Sequence, residues 1–217
     1  MLSALHINDL ATRALDVAVS GAALAITWPV LAAAAALIKL EDGGPVSYPQ
    51  ERVGKGGRLF RMHKLRSMRV NDLPVHVVGQ VSHEHPMVTR VGRFIRRYKL
   101  DELPQMLNVL AGEMSVVGPR PTVAEQVERY TPFQRRRLEV RPGITGWAQV
   151  NGATALSWDE RILLDVWYID HRSVWLDLRI LLRTPAVALL GERPEPGALR
   201  DAEEHAAATG GRAAGRG

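Results

Sequence analysis

The chain has 217 residues, of which 46% are hydrophobic and 24% charged, and this predicts one domain with appendages. The absence of cysteine excludes a disulfide-stapled secreted scaffold, a cysteine-ligated metal site and a thiol nucleophile, and it favours intracellular chemistry. The formal net charge is only +5, but residues 52–99 hold twelve basic and two acidic residues. This basic block predicts an anionic partner, which is a phosphate compound, nucleic acid or an acidic membrane face.

The first predicted element is a run of 22 residues without a charge, from Val17 to Ile38. As a helix it would be roughly 33 Å long, enough to cross a hydrocarbon core of about 30 Å. Pro29 divides the run into arms of 12 and 9 residues, neither of which crosses alone. A kinked transmembrane helix and a re-entrant hairpin both remain open, and composition favours the spanning helix.

After the apolar run the pattern changes to short β-like pieces and then to helices. Val46–Tyr48 and Leu59–Leu65 flank a glycine-rich turn and predict a small β-hairpin, and residues 71–89 are typical of a loop. Apolar periodicity predicts helices near Val91 and over Leu103–Leu110, Val123–Tyr130, Trp158–Tyr168 and Val174–Leu190. The last 27 residues, rich in Gly and Ala and without periodicity, predict a disordered tail over 191–217.

The densest group of charged residues lies at 93–105, where four cations precede Asp101 and Glu102. One interpretation is a helix start, with Asp101 as the N-cap and Pro104 in the first turn. The other is a phosphate site, in which an ionised carboxylate acts as a nucleophile or holds Mg²⁺ together with its neighbour. Both interpretations can hold together, because helix amides and cations would keep Asp101 ionised.

Three further segments present cations on stiff backbone. Prolines flank Arg120 in Gly118–Pro121, and Arg141 begins a segment with two glycines, so each guanidinium is suited to a phosphate. Lys64 lies at the end of the presumed hairpin and adds a further cation. An ordinary rigid turn and a solvated edge strand are the alternatives for these segments.

Taken together in chain order, the motifs of this sequence resemble those of the bacterial sugar transferases of the monotopic phosphoglycosyl transferase superfamily, the polyisoprenyl-phosphate hexose-1-phosphate transferases. The likeness covers about residues 10–185. The segments that carry it are Arg13-x-x-Asp16, Gly44-Pro45-Val46, Gln50-x-Arg52-x-Gly54, Lys64-x-Arg66-Ser67-Met68, Leu100–Gln105, Asn108-Val109-Leu110, Gly118–Pro121, Pro142–Gly146, and Tyr168 with Asp177.

The resemblance implies a two-step reaction on the catalytic pair Asp101 and Glu102. Asp101 would attack the β-phosphorus of a UDP-sugar and expel UMP, and undecaprenyl phosphate would then take the sugar-phosphate. Mg²⁺ near Asp101 and Glu102 would neutralise the diphosphate. The side chains expected to bind donor or lipid phosphates are Lys64, Arg96, Arg120 and Arg141. Such a reaction initiates a lipid-linked glycan such as exopolysaccharide, capsule or O-antigen.

The resemblance also implies an α+β, helix-dominated fold, with a re-entrant membrane helix-break-helix at 1–40 and a catalytic domain at 41–190. Pro29 would be the break, which reverses the preference drawn from composition. The domain would carry a short β-hairpin and interfacial amphipathic helices, with the active site at the cytoplasmic face of the bacterial inner membrane. Lys99 and Ala153-Thr154 depart from the family pattern, and we expect these departures to tune the sugar pocket.

Two other functions are weighed against this one. A membrane-anchored anion-binding module for nucleic acid or acidic lipid would also explain the basic block, but the chain has no helix-turn-helix or ribonucleoprotein-type motif. We therefore expect no nucleic-acid partner. A hydrolase would use the same carboxylates with water as the acceptor. A homo-oligomer is compatible with each of the three.

Overall fold

A computed structural model describes residues 2–69 and 85–210, with side chains from Asp9 onward. The described chain is helix-dominated α+β, as predicted, and most of the loop predicted at 71–89 lies outside the described residues. The helices are α1 Leu2–Asp42, α2 Arg90–Arg97, α3 Gln105–Ala111, α4 Ala124–Glu128, α5 Pro132–Arg135, α6 Trp147–Val150, α7 Trp158–Asp170, α8 Val174–Leu190 and α9 Pro196–Ala208. The strands are β1 Gln50–Val53, β2 Leu59–Met62, β3 Ser115–Val117 and β4 Gly143–Thr145.

The strands form two small two-stranded sheets. β1 and β2 are an antiparallel hairpin in which Gln50 pairs with Met62, so a hairpin around the glycine-rich turn is confirmed. Its first strand is Gln50–Val53 and not the predicted Val46–Tyr48, where Ser47 forms an isolated bridge to Leu65. β3 and β4 are parallel and join segments 28 residues apart, an arrangement that the local pattern does not predict. A Cβ at Gly143 would clash with the backbone of Gly118, so the close approach of the two rigid turns requires glycine.

α1 runs through Pro29 as one continuous helix. The hydroxyl of Thr27 donates to the carbonyl of Ala23 at 2.6 Å, rather than to the Ala25 carbonyl that the proline leaves without its helical donor. By length and composition Asp9–Asp42 is able to cross a membrane. Its most apolar stretch of 18 residues has a mean hydropathy of 2.0, and 11% of that stretch is buried. The outward face of α1 is therefore apolar along its middle.

Both ends of α1 are bonded to the rest of the chain. Near its start, Asp16 Oδ1 accepts from the Ser115 hydroxyl at 2.8 Å and from the Val116 amide at 2.7 Å. At its end, Asp42 forms a two-pronged ion pair with Arg66. Asp16 and Asp42, on either side of the apolar run, are thus both bonded to the same folded unit.

The main core lies between α7, α8 and α9. Leu164 and Ile180 are fully buried, and α7 begins with a capping box between Ser157 and Glu160. α9 packs on α7 through buried alanines at a spacing of four residues, which places them on one helical face, at Ala198, Ala202 and Ala206.

The prediction of a disordered tail from residue 191 is therefore wrong for Pro196–Ala208. The small apolar side chains of this segment bury a narrow helical stripe, a pattern that composition alone does not distinguish from low complexity.

Candidate functional site

The two predicted carboxylates lie on a short 3₁₀ turn, Leu100–Glu102, that leads into α3. Lys99 enters this turn with φ 55°, and the carbonyl of Asp101 accepts from the Leu65 amide at 3.0 Å, which ties the turn to the segment after β2. The N-cap position of α3 is Pro104. The interpretation of Asp101 as the N-cap is therefore wrong, and its carboxylate is not used to start a helix.

Lys64 joins the two carboxylates. Its Nζ lies 3.0 Å from Asp101 Oδ2 and 3.3 Å from Glu102 Oε1. Only 2% of Asp101 is exposed, so this contact is made largely away from solvent. The ammonium of Lys64 thus forms ion pairs with both carboxylates and fixes their positions relative to each other.

Arg120 binds the second carboxylate from the other side. Its Nη2 lies 2.7 Å from Glu102 Oε1, while about half of the Arg120 side chain stays exposed. The guanidinium is therefore anchored at one edge and open to solvent at the other, which suits the binding of a phosphate oxygen.

The two carboxyl groups have opposite pKa shifts. Burial raises the pKa of Asp101, and the charge of Lys64 counteracts part of this effect. Burial acts in the same direction on Glu102, but the charges and hydrogen bonds of Arg120 and Lys64 outweigh it and hold its pKa well below the usual range. Glu102 is thus an anion at neutral pH. Asp101, in contrast, loses its proton at a higher pH than an ordinary aspartate does.

The remaining predicted cations lie in different places. Arg96, in the last turn of α2, is close enough to Asp101 for its charge to lower the pKa of that carboxyl. Arg141 Nε instead donates to the carbonyl of Gly112 at the end of α3, at 2.9 Å. The structure thus brings Lys64, Arg96 and Arg120 to the carboxylates and places Arg141 at the far end of α3.

A buried network that the sequence analysis missed supports Arg120. Arg137 donates to the Arg120 carbonyl at 3.0 Å and to the Tyr130 hydroxyl at 2.6 Å, and its Nε lies 2.8 Å from Asp165 Oδ2. Arg137 and Asp165 are both almost fully buried. Arg137 is the third of three consecutive arginines, and nothing in that run distinguishes the buried one from the exposed Arg135 and the half-buried Arg136.

Asn108 joins the hairpin to the catalytic turn. Its Oδ1 accepts from the His63 amide at 2.9 Å, and its Nδ2 donates to the Arg61 carbonyl at 2.8 Å. Because Lys64 directly follows His63 and Asn108 is on α3, this fully buried amide sets the position of the lysine relative to Asp101. Asn108 of the Asn108-Val109-Leu110 motif thus has a structural role, which is to connect α3 with the hairpin.

Two carboxylates are a sparse donor set for a metal ion. Within residues 2–69 and 85–210 no group of three or more His, Cys, Asp or Glu side chains is arranged to hold one. Mg²⁺ commonly uses one or two carboxylates together with substrate phosphates, and the second oxygens of Asp101 and Glu102, Oδ1 and Oε2, are not the ones bound to Lys64 and Arg120. The pair therefore fits a magnesium ion that arrives with a diphosphate.

Comparison with known proteins finds sugar transferases that are similar over most of the chain. The chain is 45% identical over 157 residues to the sugar transferase EpsL of Bacillus subtilis, covering 72% of this chain and 76% of that protein. It is 45% identical over 185 residues to the UDP-N-acetylgalactosamine-undecaprenyl-phosphate N-acetylgalactosaminephosphotransferase of Aeromonas hydrophila, covering 82% of this chain and 44% of that protein.

The UDP-glucose:undecaprenyl-phosphate glucose-1-phosphate transferase of Escherichia coli is 42% identical over 188 residues, with 82% of this chain and 40% of that protein covered. The chain thus spans three quarters of EpsL but less than half of the two larger relatives. The family model of the bacterial sugar transferases matches residues 7–191. The chain belongs to the bacterial sugar transferase family.

Proposed function

We propose that the chain transfers a sugar-1-phosphate from a UDP-sugar to undecaprenyl phosphate. The observation that carries the proposal is the buried carboxylate of Asp101, held by Lys64 beside a second carboxylate that Arg120 neutralises. Two of the relatives described above are named for this reaction, with different sugars.

In the first half-reaction, a carboxylate oxygen of Asp101 attacks the β-phosphorus of the UDP-sugar. A bond forms between that oxygen and phosphorus, the bond to the bridging oxygen breaks, and UMP leaves with the electron pair. Lys64 and Arg120 bind the phosphate oxygens as charge moves to the leaving group, and Arg96 adds positive charge near Asp101.

In the second half-reaction, a phosphate oxygen of undecaprenyl phosphate attacks the same phosphorus. The acyl-phosphate bond to Asp101 breaks, and the carboxylate is restored for the next cycle. Glu102 stays ionised throughout, so it holds Lys64 and Arg120 in place rather than exchanging a proton. The phosphate-binding role expected for Arg141 stays a prediction, because its Nε is bonded at the far end of α3.

Mg²⁺ is proposed as the cofactor. Asp101 and Glu102 would hold it through the oxygens that Lys64 and Arg120 leave open, together with the donor diphosphate. When bound, the ion supplies charge neutralisation for the diphosphate.

We place the catalytic unit at the cytoplasmic face of the inner membrane, with α1 as a re-entrant element. Because α1 is helical on both sides of Pro29, the proline would bend the helix rather than break it as expected from the sequence. In support, Asp16 and Asp42 bond to the same folded unit although 26 residues, about 39 Å of helix, separate them. A helix that crossed the bilayer would place these two residues on opposite faces. Other exposed apolar side chains available for lipid contact are Phe94, Trp175, Leu182, Leu189 and Leu190.

The test is release of UMP by the purified, detergent-solubilised protein with Mg²⁺, undecaprenyl phosphate and a panel of UDP-sugars. Asp101→Asn is expected to lower the rate by roughly 10³-fold or more, because the amide is a poor nucleophile. Without the lipid acceptor, intact mass spectrometry should find a sugar-phosphate adduct on the wild type and none on the variant.

Asp201→Asn, at an exposed position on α9, is the matched control and should behave as the wild type. Failure of the wild type to release UMP with any donor would contradict the proposal. Sustained turnover without undecaprenyl phosphate would identify a hydrolase instead.

A further inference from the structure

Two residues have strained backbone, one directly before the catalytic turn and one in the loop after α6. Among residues 2–69 and 85–210, Lys99 with φ 55° and Ala153 with φ 41° are the non-glycine residues with a positive φ. Such conformations persist when surrounding contacts hold them, and they concentrate at functional sites.

One carboxylate, that of Glu192, bonds to both segments. Its Oε1 lies 3.5 Å from Lys99 Nζ, and its Oε2 accepts from the Thr154 amide at 2.9 Å and from the Thr154 hydroxyl. Burial would raise the pKa of Glu192, but the bonds from Thr154 and the charge of Lys99 lower it, so the group is an anion at neutral pH.

Glu192 belongs to the connection between α8 and α9, residues 191–195, which we call the strap. The strap lies on the loop that holds Ala153, since the Glu195 amide donates to the Asn151 carbonyl at 3.1 Å. It also lies near the site, because the charge of Glu192 is among those that raise the pKa of Arg120. Within the strap, Glu192 is therefore the residue whose charge acts on Arg120, the partner of Glu102.

We propose that Glu192 is a positioning residue for the sugar-bearing end of the donor. It holds the ammonium of Lys99 and the loop at 151–155 in one arrangement beside Asp101, and the proposal rests on the transferase function proposed above. A cation and hydrogen-bonding groups held in this way recognise the hydroxyl and phosphate oxygens of a nucleoside-diphosphate sugar. Glu192 lies directly after the residues that the family model matches, 7–191.

The kinetic test compares Glu192→Ala with Glu195→Ala, a strap variant that loses only an exposed ion pair with Arg183. We expect Glu192→Ala to raise the donor KM for UMP formation by about tenfold and to change kcat by less than about twofold, because binding is lost before the chemical step. The donor KM of Glu192→Gln should lie between those of the wild type and Glu192→Ala, since the amide oxygen still accepts from Thr154. Glu195→Ala should match the wild type.

A second measurement does not depend on activity. Amide hydrogen exchange of the donor-free protein should be faster at 99–103 and at 151–156 in Glu192→Ala, and unchanged in Glu195→Ala. An active enzyme with an unaltered donor KM, or exchange equal to that of the control, would overturn the role of Glu192. If no UDP-sugar releases UMP from the wild type, the transferase proposal fails, and the exchange result alone decides whether Glu192 holds the two segments.

Discussion

At the scale of single residues, the reactivity of Asp101 depends on how its burial and its neighbouring cation balance. Burial raises its pKa, and Lys64 is the largest influence in the opposite direction. The nucleophile must be ionised, so the first half-reaction should lose rate as the pH falls through this raised pKa and reach a plateau above it.

Lys64→Met tests this balance. Removal of the ammonium should raise the pKa of Asp101 further, so the acid limb of kcat/KM for UMP formation should move to higher pH. The plateau rate should also fall by roughly 10²-fold, because a phosphate-binding cation is lost. The measurement is the pH–rate profile of the first half-reaction.

Lys55→Met is the matched control, because Lys55 is exposed on the hairpin turn. Its profile should coincide with that of the wild type. An acid limb that stays at the same pH in Lys64→Met would show that another group controls the ionisation of Asp101.

At the scale of elements, buried polar joints hold the site together. Asn108 connects β2 with α3, and Arg137 connects the Arg120 segment with Asp165 on α7. A buried ion pair of this kind is expensive to break, because the remaining charge has no compensation.

Arg137→Met should therefore lower the free energy of unfolding by about 3–5 kcal/mol, since it leaves Asp165 buried and unpaired. Thermal unfolding in detergent measures the loss. Arg200→Met removes an exposed ion pair with Glu204 on α9 and should leave the unfolding temperature unchanged.

Replacing both partners, with Arg137→Met and Asp165→Leu, should recover part of the stability, because no buried charge remains. The double variant should still lose activity, since the Arg120 carbonyl has lost its donor. A single Arg137→Met variant as stable as the wild type would contradict this account of the joint.

At the scale of the whole molecule, α1 determines how the catalytic unit meets the membrane. The absence of native cysteine allows its topology to be tested with single introduced thiols. In intact cells a membrane-impermeant maleimide should label neither Ser3→Cys nor Thr209→Cys, which marks the end of α9. Both should be labelled after permeabilisation, and labelling of Ser3→Cys alone in intact cells would establish a spanning helix.

Much of the site was predictable from local sequence. Asp101 and Glu102 are adjacent in the chain, and the stiff segment around Arg120 and the apolar run of α1 are local patterns. The helix-dominated fold followed from periodicity, because a single helix carries its own hydrophobic pattern. The family resemblance then joined these separate signals into one chemistry.

Only the tertiary structure decided how these parts meet. Lys64 reaches Asp101 from 37 residues away, and the parallel pairing of β3 with β4 brings two turns together across 28 residues. The burial of Arg137 and the ordering of α9 likewise depend on partners distant in the chain. Composition and spacing describe what a segment is able to form, whereas burial and ion pairing are set by the neighbours that the fold supplies.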